Sequence, residues 1–109
     1  MAYDEALAAR VRELLEGNPD ISERKMFGGI AFLLAGNMSV GVSKDELMVR
    51  IDPEDQEAAL DSPGVRPLDM SGRQMKGWIL VGSNGITEDA DLETWVSVGL
   101  DFAGTLPPK

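Results

Sequence analysis

Residues 30–51 read IAFLLAGNMSVGVSKDELMVRI, and the spacing of apolar positions in this stretch decides the fold. Ile30–Leu34 is an apolar run of strand length, and Ala35-Gly36-Asn37 is turn chemistry. Met38–Val42 alternates apolar with small residues, Lys44-Asp45-Glu46 makes a second polar turn, and Leu47–Ile51 alternates again. Connections this short join antiparallel neighbours, because a parallel return needs a crossover of about a dozen residues or more. The stretch predicts a three-strand meander.

Helical periodicity appears on both sides of it. Residues 3–17 place Leu7, Val11, Leu14 and Leu15 on one face, with Asp4 and Glu5 in the first turn and Gly17-Asn18-Pro19 as a stop. Arg12 and Glu16, four apart, are expected to pair on the wet face. After the meander, Asp52 reads as an N-cap and Pro53 as the first residue of a short helix running to about Leu60. Residues 62–76 are rich in turn formers (Pro63, Gly64, Pro67, Ser71, Gly72). A strand is expected over Gly77–Val81, ending at Ser83-Asn84-Gly85. Thr87 reads as the N-cap of a closing helix whose stripe is Leu92, Val96, Gly99 and Ala103, widened by Trp95, Val98, Phe102 and Leu106. The expected order is α-β-β-β-α-β(-β)-α. It describes a single α+β domain over residues 1–109, a two-layer sandwich with helices on one face of a mainly antiparallel sheet.

Composition removes whole classes of chemistry. With no cysteine and no histidine, disulfides, thiol catalysis, Ser-His-Asp triads and histidine-ligated zinc are excluded. Ten basic against 19 acidic residues give a net charge of −9, which argues against a protein that coats nucleic acid. The longest apolar stretch, Ile30–Ala35, is far below the roughly 18 residues of a membrane span. The acidic start Met1–Glu5 is unlike a signal peptide. A cytoplasmic protein with no membrane association is expected.

Four clusters remain as carriers of chemistry. Ser22-Glu23-Arg24-Lys25 has the Ser-x-x-Lys spacing of serine acyltransferases but lacks their other elements, and reads as a polar strand start. Gly28-Gly29 precedes a strand and not a helix, so it marks a hairpin bend or bulge and not a phosphate loop. The acids of residues 52–57 and 88–93 fall at helix starts, where they complement the helix dipole, and form no calcium-type loop. No metal, cofactor or catalytic residue is assigned, and no enzyme is expected. Residues 62–76 carry Arg66, Arg73 and Lys76 against one acid, Asp69, while residues 77–108 carry five acids and no base. With Trp78, these bases form a candidate docking patch for an acidic protein partner. The competing reading places Trp78 and Met75 in the core and leaves the bases to solubilise a loop. A small-molecule site on the uncovered sheet face is the alternative function.

These residues resemble the N-terminal domain of the TfoX/Sxy family, bacterial proteins named for regulators of natural competence. The resemblance is carried by the first helix followed by Arg24-Lys25-Met26-Phe27-Gly28-Gly29, the strand Ile30–Leu34 and the Gly36-Asn37-Met38 turn. The Gly72–Trp78 segment and the closing helix with Leu92 and Trp95 extend it over nearly the whole chain. It implies a fold like that of secretion chaperones and a regulatory role, since founding members promote transcription of competence genes beside another transcription factor. It supplies no catalytic residues; Met26, Phe27, Gly28 and Gly29 match the family motif as structural residues. Full-length regulators add a helical C-terminal domain, so the expectation is a stand-alone single-domain member, monomeric or homodimeric.

Overall fold

The computed structural model describes residues 3–26, 28–70 and 73–108. Six strands form one antiparallel sheet in the order β1-β2-β3-β4-β6-β5. They are β1 (Ile21–Met26), β2 (Gly29–Leu34), β3 (Asn37–Ser43), β4 (Glu46–Arg50), β5 (Val65–Met70) and β6 (Arg73–Val81). Three helices, α1 (Glu5–Leu14), α2 (Gln56–Ala59) and α3 (Asp89–Ala103), complete the α+β fold.

The meander has four strands, one more than the sequence predicts. The extra strand is β1, paired with β2 from Ile21↔Leu34 to Met26↔Gly29. That register makes the paired glycines a hairpin bend, with Gly28 at φ 72°. Gly29 is required for a second reason: a Cβ there would sit 2.2 Å from the Val42 carbonyl oxygen on β3. The next hairpin turns at Ala35 (φ 51°) and Gly36 (φ 87°), the two positive φ values that a two-residue hairpin with the correct twist demands. Residues 62–76, rich in turn formers, lie largely in a hairpin, whose β5 is the second strand that the expected order leaves optional. Pro67 is tolerated in β5 because the strand lies at the sheet edge, where a missing N–H breaks no ladder.

Alternation along the strands points Ile30, Phe32, Val40, Val42, Leu47, Val49, Ile79 and Val81 to one face. There they pack with Leu7, Ala8, Val11 and Leu15 of the α1 segment, Ala59 of α2, and Leu92 and Val96 of α3. α3 lies over β3 and β4, and α1 crosses β3 beside it. Among the described residues no helix is long and apolar enough to cross a membrane.

Several boundaries differ from the sequence reading. Asp4 is the cap of α1, accepting from the amides of Ala6 (2.9 Å) and Leu7 (3.2 Å). Leu14, expected in the apolar stripe, is exposed. It falls on the rim of the helix face, while Ala8 fills the tight approach to the core. Arg12 pairs not with Glu16 but with Glu23 of β1, through Nε–Oε2 at 2.7 Å and Nη2–Oε1 at 2.9 Å. A planar fork meeting a carboxylate on a fixed strand is a better partner than a flexible neighbour one turn along. Asp52 caps a turn rather than a helix, accepting from the Glu54 amide at 2.9 Å, and α2 starts only at Gln56. Glu88, not Thr87, stands at the start of α3; the Thr87 hydroxyl donates to the Ser83 carbonyl at 2.9 Å.

Candidate functional site

Among the described residues the three α-helices pack on one side of the sheet and the strands form its other face, with Phe102 of α3 reaching only the end where β4 finishes. The registers of the five pairings align one row across all six strands: Arg24, Ala31, Gly41, Met48, Leu80 and Arg66. At about 4.8 Å per strand the row spans about 24 Å, with an arginine at each end. Its middle is closed. Ala31 is fully buried, and Met48 and Leu80 are 6% and 9% exposed. The Met48 methyl lies over Gly41, within 2.7 Å of where a Cβ would stand. A flexible thioether thereby fills a gap that the small residues leave.

The arginines differ in what they touch. Arg66 forms a forked ion pair with Glu46, which reaches across β6 from β4; one of its bonds, Nε–Oε2, measures 3.1 Å. That hydrogen bonding raises the Arg66 pKa above its ordinary value. Arg24 is exposed and, among the described residues, takes part in no ion pair.

Arg50 is placed differently. It stands opposite Trp78 in the β4–β6 pairing, one step along from the central row. Its guanidinium carbon lies 5.7 Å from the Trp78 ring centroid and 5.6 Å from that of Phe102, near the C-terminal end of α3. Arg50 Nη1 also approaches the Met38 carbonyl at 3.4 Å. All three side chains are half-buried. The cluster closes the end of the sheet where β4 finishes.

A glycine bulge sets the position of Trp78. Gly77 has φ 83°, and the side chain of Gln56 on α2 clamps it, accepting from the Gly77 amide at 2.8 Å and donating to the Trp78 carbonyl at 3.2 Å. The bulge separates two residues that are close in sequence. Lys76 lines a cleft of about 430 Å³ beside α2, with Pro53, Gln56, Glu57 and Leu60. Trp78 faces the helix-free side.

The residues nominated from the sequence as partner-binding are therefore divided. Arg66 and Trp78 share the helix-free face, and Lys76 lies in the α2 cleft. Arg73 begins β6, and its side chain lies outside the described residues, as do Phe27 and the side chains of Met26 and Met75. Trp78 belongs neither to the core cluster nor to an open loop. In the sequence Arg24 reads only as part of a polar strand start and of the family motif, and Arg50 carries no signal of a site. An arginine at an alternating position signals only an outward-facing residue until the register supplies its neighbours.

A groove of about 560 Å³ lies elsewhere, between α1 and β1, lined by Leu15, Ile21 and Phe32 and bridged by the Arg12–Glu23 pair. The family model described as TfoX N-terminal domain matches residues 13–103. No curated protein and no solved structure matches the chain.

Proposed function

The chain belongs to the TfoX N-terminal domain family, and from that premise we propose that it is a non-enzymatic regulatory module of a bacterial cytoplasm, acting through protein contacts. The docking surface is the helix-free face of the sheet, with Arg24, Arg50, Arg66 and Trp78 as its anchors. One observation carries this reading. In a chain of net charge −9, the only sheet face without helices has arginines at both ends of its central row and an arginine–aromatic cluster in the next. Arginine and tryptophan dominate interface energetics because they combine wide apolar contact with directed donors. Small-molecule binding on this face fits less well, because the hollow between β4 and the β5–β6 hairpin, lined by Met48, Leu80, Arg66 and Glu46, measures only about 280 Å³, at the small end of ligand pockets.

The test is affinity purification from the native cell with tagged wild type, Arg24→Glu/Arg66→Gln and Lys76→Glu, read by mass spectrometry. We expect a protein recovered with wild type and with Lys76→Glu but absent from the double variant. Loss with Lys76→Glu alone would move the site to the α2 cleft. Equal recovery in all three samples would remove the docking reading.

A further inference from the structure

Deepening that reading, and resting on it, we propose that Arg50, held against Trp78 and Phe102, is an anchor for a side-chain carboxylate of an acidic protein segment. Three of the arginines are already satisfied within the fold. Arg10 bonds Asp89 at 3.1 Å and the Ile86 carbonyl at 2.9 Å; Arg12 bonds Glu23; Arg66 bonds Glu46. Arg24 stands in water. Among the arginines with described side chains, Arg50 alone is half-buried and takes part in no ion pair with a described carboxylate.

Its surroundings keep it ready for one. Stacking uses the faces of the guanidinium plane, whereas the N–H donors lie in the plane and point out along its edge. The 3.4 Å approach of Nη1 to the Met38 carbonyl occupies one donor weakly. Nε and Nη2 make no hydrogen bond within the described residues, and they form the paired edge that a carboxylate accepts from. Contact with two rings also fixes the side chain before binding, so less rotamer freedom is lost when the carboxylate arrives. Partial burial lowers the local dielectric, which makes this contact stronger than the same contact at exposed Arg24.

The rest of the face limits the occupant. The half-buried rings of Trp78 and Phe102 call for an apolar residue beside the acid, and Arg24, three strands away in the central row, offers a second contact for another carboxylate. A second copy of this chain placed face to face would set arginines against arginines. The occupant is therefore a different protein, presenting glutamate or aspartate next to leucine-like side chains.

The test follows Trp78 fluorescence in a Trp95→Phe background, which removes the other tryptophan. The probe is an acetylated, amidated octapeptide alternating glutamate and leucine, with a glutamine–leucine counterpart as control. We expect saturable binding of the glutamate peptide, with Kd raised about tenfold by Arg50→Gln and not restored by Arg50→Lys, which keeps the charge but loses the fork. Arg24→Gln should change Kd less than about threefold. Phe102→Leu, which keeps the helix apolar and removes one ring, should weaken binding about threefold and serves if Arg50→Gln fails to fold.

The proposal is overturned if Arg50→Gln and wild type bind alike, if the glutamine peptide binds as well as the glutamate peptide, or if wild type shows no saturation. If Arg24→Gln abolishes binding while Arg50→Gln does not, the face remains a docking surface and the anchor is lost. Loss of the native partner on altering Arg24 and Arg66, with no glutamate-peptide binding, separates the two readings in the same way.

Discussion

A Cβ built on Gly99 would lie 2.5 Å from the Ser39 carbonyl oxygen and 2.6 Å from Val40 Cγ1. Ser39 is the extra residue of a β-bulge, set between Leu33↔Met38 and Phe32↔Val40, and its hydroxyl donates to the Phe32 carbonyl at 2.9 Å. The bulge pushes backbone toward α3, and only a residue without a side chain lets the helix pass. Two effects therefore oppose each other in Gly99→Ala. In an exposed helix the change stabilises by about 1 kcal/mol. Here it forces helix and sheet apart, an overpacking that costs about 1–3 kcal/mol. The expected sum is destabilisation, read as a lower urea midpoint with an unchanged slope; a higher midpoint would show that α3 can shift freely on the sheet. The stripe that contains Gly99 was legible in the sequence because its period is helical. The reason for the glycine was not, because it depends on a bulge about 60 residues earlier in the chain.

Among the elements, β1 was the least legible. Its helix-side positions carry Ile21, Glu23 and Lys25, and its other side carries Ser22 and Arg24, so no apolar alternation marks it. It is held by its ladder with β2 and by the Arg12–Glu23 fork, a pairing that local sequence cannot reveal. β5 was hidden by Pro67 and Gly64, residues that signal a turn unless the strand is known to lie at an edge. The β2–β4 meander and α3, by contrast, bury one side almost completely, and their periods survive in the sequence. The fork has a consequence for pH. Hydrogen bonding from Arg12 holds the Glu23 carboxyl below the usual carboxylate range. A depressed folded value means the stabilisation is present above the unfolded pKa, about 4.3, and is lost as pH falls through the folded value. Both side chains are at least a third exposed, so screening limits the effect to about 0.5 kcal/mol. Glu23→Gln should therefore be slightly less stable than wild type at pH 7, with the two melting temperatures converging below about pH 4. A gap that persists at pH 3 would assign the loss to packing instead of charge.

At the scale of the molecule, many of the acids, those of the α1 start, the α2 turn and α3, lie on the helix side, while Arg24 and Arg50, which take part in no ion pair among the described residues, lie on the other face and at its end. The sequence showed a basic segment beside an acidic one, but it placed the site along the chain from Arg66 to Trp78. The proposed docking surface is drawn instead across strands, from β1, β4, β5, β6 and the end of α3, with Lys76 in the α2 cleft on the other side of the Gly77 bulge. This geometry makes the kinetics of binding informative. A partner rich in carboxylates approaches a body of charge −9, so the long-range force is repulsive, and salt screens it beyond a Debye length of about 10 Å at 0.1 M. The contacts at Arg50 act at hydrogen-bond range in a half-buried place and are screened much less. Raising sodium chloride from about 0.05 to about 0.5 M should then speed association severalfold and speed dissociation more modestly. Stopped-flow mixing with the glutamate–leucine peptide, followed through Trp78, measures both rates. An association rate that falls with salt would mean that attraction governs the encounter; a chain of this charge offers such attraction to a basic partner and not to an acidic one.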